Sequence, residues 1–190
     1  GGDTVRLKIQ FHYNSPVVLS FALISLAALV LDFFTDGFTT VNFFSVYRCS
    51  LRDITAYPRF FLHVLGHADY AHYIGNMMMV LVVGPTLEEI YGSRKLLIAI
   101  VMTALVSGLV QWLFFPGVAL LGASGIVFMM IVMSSLPGMK NGSIPITFVL
   151  VLLLYLGGEI VDGFVLKDNV SQLTHVVGGV CGAVLGMNMR

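Results

Sequence analysis

Charge is what this sequence has least of. Of its 190 residues only 11% are Asp, Glu, Lys or Arg, where a soluble domain carries about 25%. With 57% of the chain hydrophobic and a mean hydropathy of +0.93, little room is left for a soluble globule. Neither sign is in excess, ten Lys and Arg standing against ten Asp and Glu. The basic residues form no stripe interleaved with aromatics, so counterion release from a phosphate backbone has no source, which argues against a nucleic-acid partner. Cysteine is scarce too. Cys49 and Cys181 lie far apart, one in a connecting segment and one in a late apolar run, which gives neither a disulfide framework nor metal-ligand spacing. No internal repeat is visible. The chain opens on Gly1-Gly2 rather than Met, the mark of a tag scar or a shortened chain, which leaves room for an N-terminal domain upstream.

What the sequence has in quantity is long apolar runs. A helix crossing a hydrocarbon core of about 30 Å needs about 20 apolar residues. Six runs come near that length, at 17–34, 72–88, 96–115, 124–136, 144–159 and 170–189. The expected fold is an all-α, six-span membrane domain filling 1–190. The fourth run has only 13 residues before Pro137-Gly138, a helix of about 20 Å, too short to cross unaided. Its start is therefore expected inside the membrane, reached by the uncharged 115–122 segment, whose Pro116 and Gly117 suit a dipping loop shielded by protein or a water-filled cavity.

With six spans both termini share a face. That face collects Arg6, Lys8, Arg94, Lys95, Lys140 and Arg190, and the other holds Arg48, Arg52, Arg59 and Lys167. The bias favours cytoplasmic termini, and the expected location is the inner membrane of a bacterium. The connection 35–71 is far longer than an ordinary loop of about 4 to 6 residues. It is expected to hold interfacial helices anchored by Tyr47, Tyr57, Phe60 and Phe61.

Polar groups inside spans are functional candidates by default. His72 and Asn76, four apart, share one face at the start of the second span. Ser124 sits in Gly122-Ala123-Ser124-Gly125 at the start of the short fourth. His175 lies about five residues, or about 8 Å, into the sixth, followed on one face by Gly178, Gly182 and Gly186. The second, fourth and sixth spans all begin on the outer side, so these polar residues fall at similar depth. Glycines at four-residue spacing let the sixth helix approach the small residues of the fourth, bringing Ser124 toward His175.

That constellation suits nucleophilic catalysis. A serine hydroxyl is a weak nucleophile until a base takes its proton, and histidine has the pKa for that task. His72, Asn76 and the backbone N–H groups opening the fourth helix would meet the charge developing on the attacked carbonyl. No carboxylate is placed to orient His175, so a Ser-His dyad is expected, with Phe128, one turn after Ser124, holding the ring by packing. Singly, each residue has a plain packing or interhelical hydrogen-bonding reading; at one depth, with a short helix opening in the membrane, the catalytic reading is favoured.

These motifs resemble those of the rhomboid intramembrane serine proteases. The likeness rests on the stretch from His67-Ala68-Asp69 through His72 to Gly75-Asn76, on Glu88-Glu89-Ile90-Tyr91-Gly92, on Gly122-Ala123-Ser124-Gly125, and on His175 with Gly178 and Gly182. It covers essentially the whole chain as a six-span core. The resemblance implies Ser124 as nucleophile, His175 as general base and then acid, and His72, Asn76 and the Ser124 N–H as oxyanion hole. Gly122, Phe128, Gly178 and Gly182 would support them, with the first connection partly membrane-embedded and the fifth helix a lateral gate with the second. Where the family often has Trp-Arg in the first connection, this sequence reads Pro58-Arg59, a departure bearing on stability more than chemistry.

The expected substrates are single-span membrane proteins in the lipid bilayer, cut near small residues with helix-weakening residues beyond. The alternative is an inactive relative that binds and escorts membrane proteins. A transporter would call for an inverted repeat, broken helices or an acidic relay, none of which is visible. No cofactor or metal is implied. His63 and His67 stand four apart, but without Cys or carboxylate partners they read as structural hydrogen-bonders. Glu88 is expected to bond backbone or loop groups at the inner boundary.

Overall fold

Helix is the only regular structure that satisfies every backbone group within its own segment, which an apolar chain in lipid requires. The computed structural model describes residues 13–139, 143–146, 149–150, 153, 157 and 169–189. Among them the regular elements are helical: α1 (Pro16–Phe34), α2 (Phe38–Asn42), α3 (Ala56–Leu62), α4 (Tyr70–Tyr91), α5 (Ser93–Phe114), α6 (Ser124–Ser135) and α7 (Asn169–Asn188). Two of these, α1 and α5, are long and apolar enough to cross a membrane by length and composition. The expected span 144–159 falls for the most part outside the described residues.

Caps explain where the helices begin. Pro16 opens α1 at a position where a missing N–H costs nothing. Ser15 gives α1 no side-chain cap; the carboxylate of Glu88 does so from α4, accepting the Val17 and Val18 N–H groups at 3.0 Å each and the Ser93 hydroxyl at 2.7 Å. A carboxylate at that end also meets the positive pole of the helix dipole. α4 starts at Tyr70, two residues before the expected span, because Asp69 caps it: its side chain accepts the His72 N–H at 2.8 Å.

α6 is the centre of the molecule. From Gly125 to Ile131 it is buried on every side, which fits a helix apolar all round. It packs most extensively on α7 and also meets α4 and α5, while α1 lies on the outer flank of α4. α1 turns Leu23, Ile24, Val30, Leu31 and Phe33 outward, the surface a helix bordering lipid presents. The Tyr73 hydroxyl donates to the Ala22 carbonyl at 3.0 Å, pinning α4 to α1.

The connection 35–71 contains α2, α3 and a 3-10 turn at His63–Leu65. Arg59, 2% exposed, staples it internally. Its guanidinium donates to Asp53 and the Thr55 hydroxyl at 3.0 Å each and to the Cys49 sulfur at 3.4 Å, and covers the Tyr47 ring at 4.4 Å from the centroid. The two Thr55 hydrogen bonds, ahead of Arg59 itself, hold the Asp53 carboxyl below its usual range. Tyr57 and Phe61 are exposed, as surface anchors would be, but Phe60 is buried. It turns inward because Gly108 of α5 leaves room: a Cβ on Gly108 would fall 2.9 Å from the Phe60 carbonyl oxygen. An isolated antiparallel bridge then ties this connection to the one before α6, Val46 and Leu120 exchanging N–H···O bonds of 2.9 and 2.8 Å.

Candidate active site

The loop 115–123 is held by side-chain and backbone groups that its neighbours supply. Gln111 of α5 donates to the Val118 carbonyl at 2.8 Å, the Val46 bridge follows, and the Gly122 N–H donates to the His63 carbonyl at 2.9 Å. Residues 116–119 are exposed, and burial begins at Leu120, so it is the stretch next to α6 whose irregular backbone is enclosed with its hydrogen bonds kept. Gly122 adopts φ +116 and lies so near α4 that a Cβ there would fall 2.8 Å from both Cε1 and Nε2 of His72 and 3.9 Å from the Asn76 amide nitrogen. Only glycine meets both conditions.

His72 and Asn76 therefore face the turn that leads into Ser124. The Ala68 N–H donates to His72 Nδ1 at 3.4 Å, which makes Nδ1 the acceptor of a neutral ring and puts the proton on Nε2, the nitrogen beside Gly122. Asn76 is 3% exposed, and its amide donates to the His72 carbonyl at 3.2 Å. Ser124 is the first residue of α6 and is half-buried behind the fully buried Ala123. The first N–H groups of a helix have no partner within it, and here they open beside the turn.

α7 comes to α6 along its glycines. A Cβ on Gly178 would run into the Gly125 carbonyl oxygen, one on Gly182 would fall 2.5 Å from the Met129 carbonyl oxygen, and one on Gly186 would meet Leu136. The backbones are in contact, as small residues at four-residue spacing allow. On the turn before Gly178, Thr174 sets its methyl 3.1 Å from where a Gly125 Cβ would be. The next residue, His175, is 2% exposed. Its ring lies parallel to Phe128, centroids 4.5 Å apart and planes 13° off. Ser124 and Phe128 are thus one turn apart on α6, with His175 stacked on Phe128 and with His72 and Asn76 against Gly122, two residues before Ser124.

His63 and His67, read from sequence as structural hydrogen-bonders, lie next to these residues, His63 through its carbonyl on Gly122 and His67 through its ring on His72. His63 Nε2 donates to the Ala104 carbonyl at 3.0 Å, and His67 Nδ1 donates to the Leu65 carbonyl at 3.2 Å. Burial holds both imidazoles down at about 4, with the neighbouring His72 adding to the effect at His67, so both are neutral near pH 7. Among the described residues no group of three His, Cys, Asp or Glu is placed to hold a metal ion. Sequence reasoning passed over two contributors, Asp69 as the cap that starts the His72 helix and the His63 carbonyl that holds Gly122. An Asp directly before an apolar helix was a readable signal for the first; a backbone carbonyl leaves no signal in side-chain type.

Comparison with known proteins agrees with the motifs. The family model described as rhomboid domain matches residues 55–190. The chain is 26% identical over 175 residues to the rhomboid protease GlpG of Pectobacterium atrosepticum, covering 90% of this chain and 61% of that protein. It is 29% identical over 145 residues to the chloroplastic rhomboid-like protein 11 of Arabidopsis thaliana, covering 68% of this chain and 51% of that one. The chain thus spans between half and two thirds of the length of these relatives. With the family match extending over most of its residues, and taking in α3 to α7, the chain belongs to the rhomboid family of integral membrane proteins.

Proposed function

We propose that this protein is an intramembrane serine endopeptidase working through a Ser124–His175 dyad in a six-span domain with both termini cytoplasmic. Ser124 Oγ attacks the carbonyl carbon of a substrate peptide bond while His175 takes its proton. The charge that moves onto the carbonyl oxygen is met by His72 Nε2–H, the Asn76 amide and the Ser124 backbone N–H. Collapse breaks the C–N bond, and the leaving amine takes the proton from His175. Water then attacks the acyl-enzyme with His175 again as base, which frees the acid product and restores Ser124.

The observation that carries this reading is the seating of His72 and Asn76 against Gly122, two residues before Ser124. Two donor side chains have no packing reason to face a helix start, yet an oxyanion hole needs them there. The stacking of Phe128 on His175 supports it, since a dyad without an orienting carboxylate needs its ring fixed by packing. Substrates are single-span membrane proteins whose helix unwinds at the cut, because helical hydrogen bonds shield a peptide bond; small residues at the cleaved bond and helix-weakening ones beyond it fit that requirement.

The test is cleavage of a single-span substrate by the purified protein in detergent, with Ser124→Ala and His175→Ala alongside. The native protein cuts, and each variant loses at least about 10³-fold in rate, the scale for removing one member of a nucleophilic unit. Silence from all three toward several substrates, with Ser124 unlabelled by a fluorophosphonate, would favour the inactive relative that binds and escorts membrane proteins.

A further inference from the structure

We propose that His67 is a positioning residue for His72, its buried ring fixing the angle at which the His72 Nε2–H faces the turn before Ser124. The inference rests on the protease reading above, in which His72 contributes to the oxyanion hole, and adds a residue that never touches substrate.

His67 is completely buried, yet it sits in the short segment between the 3-10 turn and α4, where a polar ring has no general reason to be inside. Its ring stands edge-to-face on His72, centroids 5.0 Å apart and planes 68° off, and edge-to-face on Tyr73 at 5.5 Å and 84°. Tyr73 is itself held by its hydroxyl on the Ala22 carbonyl of α1. His67 is therefore a wedge between a ring locked to the scaffold and the ring that faces Gly122.

The wedge is itself oriented. Its Nδ1–H is committed to the Leu65 carbonyl, so its Nε2 carries a lone pair, and that atom is buried with no hydrogen-bond partner among the described residues. A buried acceptor left without a donor is a destabilising feature that packing alone would replace with an apolar ring. The next residue supplies the N–H that makes His72 Nδ1 an acceptor. One short segment thus sets both variables of the donor: Ala68 its tautomer, His67 its ring angle. Asp69, His72 and Tyr73 are the titratable neighbours of His67. The Asp69 carboxylate is committed to the His72 N–H, and the His67 ring packs edge-to-face with the imidazole. A donor turned away from a developing oxyanion loses its worth steeply, because donors must stand within hydrogen-bond distance of the oxygen's transition-state position.

The experiment compares His67→Leu, which removes the ring, with His67→Phe, which keeps an edge of similar shape, in kcat and KM for a single-span substrate. His67→Leu is expected to lower kcat by roughly 10- to 100-fold at nearly unchanged KM, less than the roughly 10²- to 10³-fold for a donor lost outright. His67→Phe recovers most of it. In a His72→Ala background, His67→Leu has little further effect, since there is no donor left to position. A loss of equal size in both backgrounds, or one in both His67 variants that follows the folded fraction, overturns the proposal and leaves His67 a packing residue. Full kcat in His67→Leu overturns it too, while the protease reading stands. A native protein that cuts nothing removes both.

Discussion

Gly122→Ala isolates the oxyanion turn from the nucleophile and the base. The new methyl would lie 2.8 Å from Cε1 and Nε2 of His72, whereas non-bonded carbons settle at about 3.5 to 4.0 Å. Either the turn or the His72 ring must therefore give by roughly 0.7 Å or more. The backbone opposes the change as well, because φ +116 is foreign to an L side chain and holding it there costs about 1 to 3 kcal/mol. The easier escape is rotation of the His72 ring, which is the donor. Misplacement of this order near reacting atoms costs about 10²-fold in rate, and it should fall on kcat, because the oxygen being met is the one that develops charge. The matched control is Gly117→Ala in the same loop, where a Cβ meets nothing within 4 Å. Steady-state cleavage of a single-span substrate, with unfolding midpoints for both variants, gives the answer. A Gly122→Ala protein that keeps kcat within about twofold of native would refute the assignment of this turn to the oxyanion site.

The other predictions probe the scaffold. Gly178→Ala pushes a methyl into the Gly125 carbonyl and should destabilise by about 1 to 3 kcal/mol, partly offset by alanine's helix preference; Gly75→Ala, on α4 with nothing within 4 Å, should be neutral or stabilising in the same melt. Glu88→Gln turns one acceptor of the Val17 and Val18 N–H groups into a donor facing a donor, which should cost about 1 to 3 kcal/mol of unfolding free energy. Arg59→Ala should lower the unfolding free energy by about 2 kcal/mol, well beyond Asp53→Asn, because Asp53 is itself 45% exposed. Stability in detergent should fall as the pH drops from 6.5 toward 4, because His63 and His67 take up protons in the unfolded chain while burial keeps the folded rings neutral down to about 4; a flat unfolding midpoint across that window would contradict their burial as neutral rings.

The helices and the site were legible in the sequence to different depths, for physical reasons. α1 and α5 follow from apolar length alone, since lipid forbids unpaired backbone and leaves the chain one solution. The shortness of α6 was readable from Pro137-Gly138, and its approach to α7 from the four-residue spacing of Gly178, Gly182 and Gly186. Both are statements about where a backbone can go, and side-chain size carries them. Phe60 shows the limit of composition. An aromatic in a membrane connection reads as a surface anchor, but a glycine some fifty residues later decides the matter by letting α3 lie against α5. No local pattern pairs those two positions.

The same limit separates the residues of the site. Ser124, His175, His72 and Asn76 can be picked out because their chemistry is wrong for their depth, which sequence type and span position reveal together. The parts that hold them cannot. The His63 carbonyl fixes Gly122, the Ala68 N–H chooses the tautomer of His72, and the His67 ring packs edge-to-face with it. Two of these act through backbone atoms that every residue owns, and the third acts across a five-residue step that enters α4 only at Tyr70, to which no single periodicity applies. A histidine that reads as a structural hydrogen-bonder by spacing becomes a neighbour of the proposed oxyanion hole once the chain is folded, and its role turns on the angle between two rings, a quantity that sequence does not encode locally.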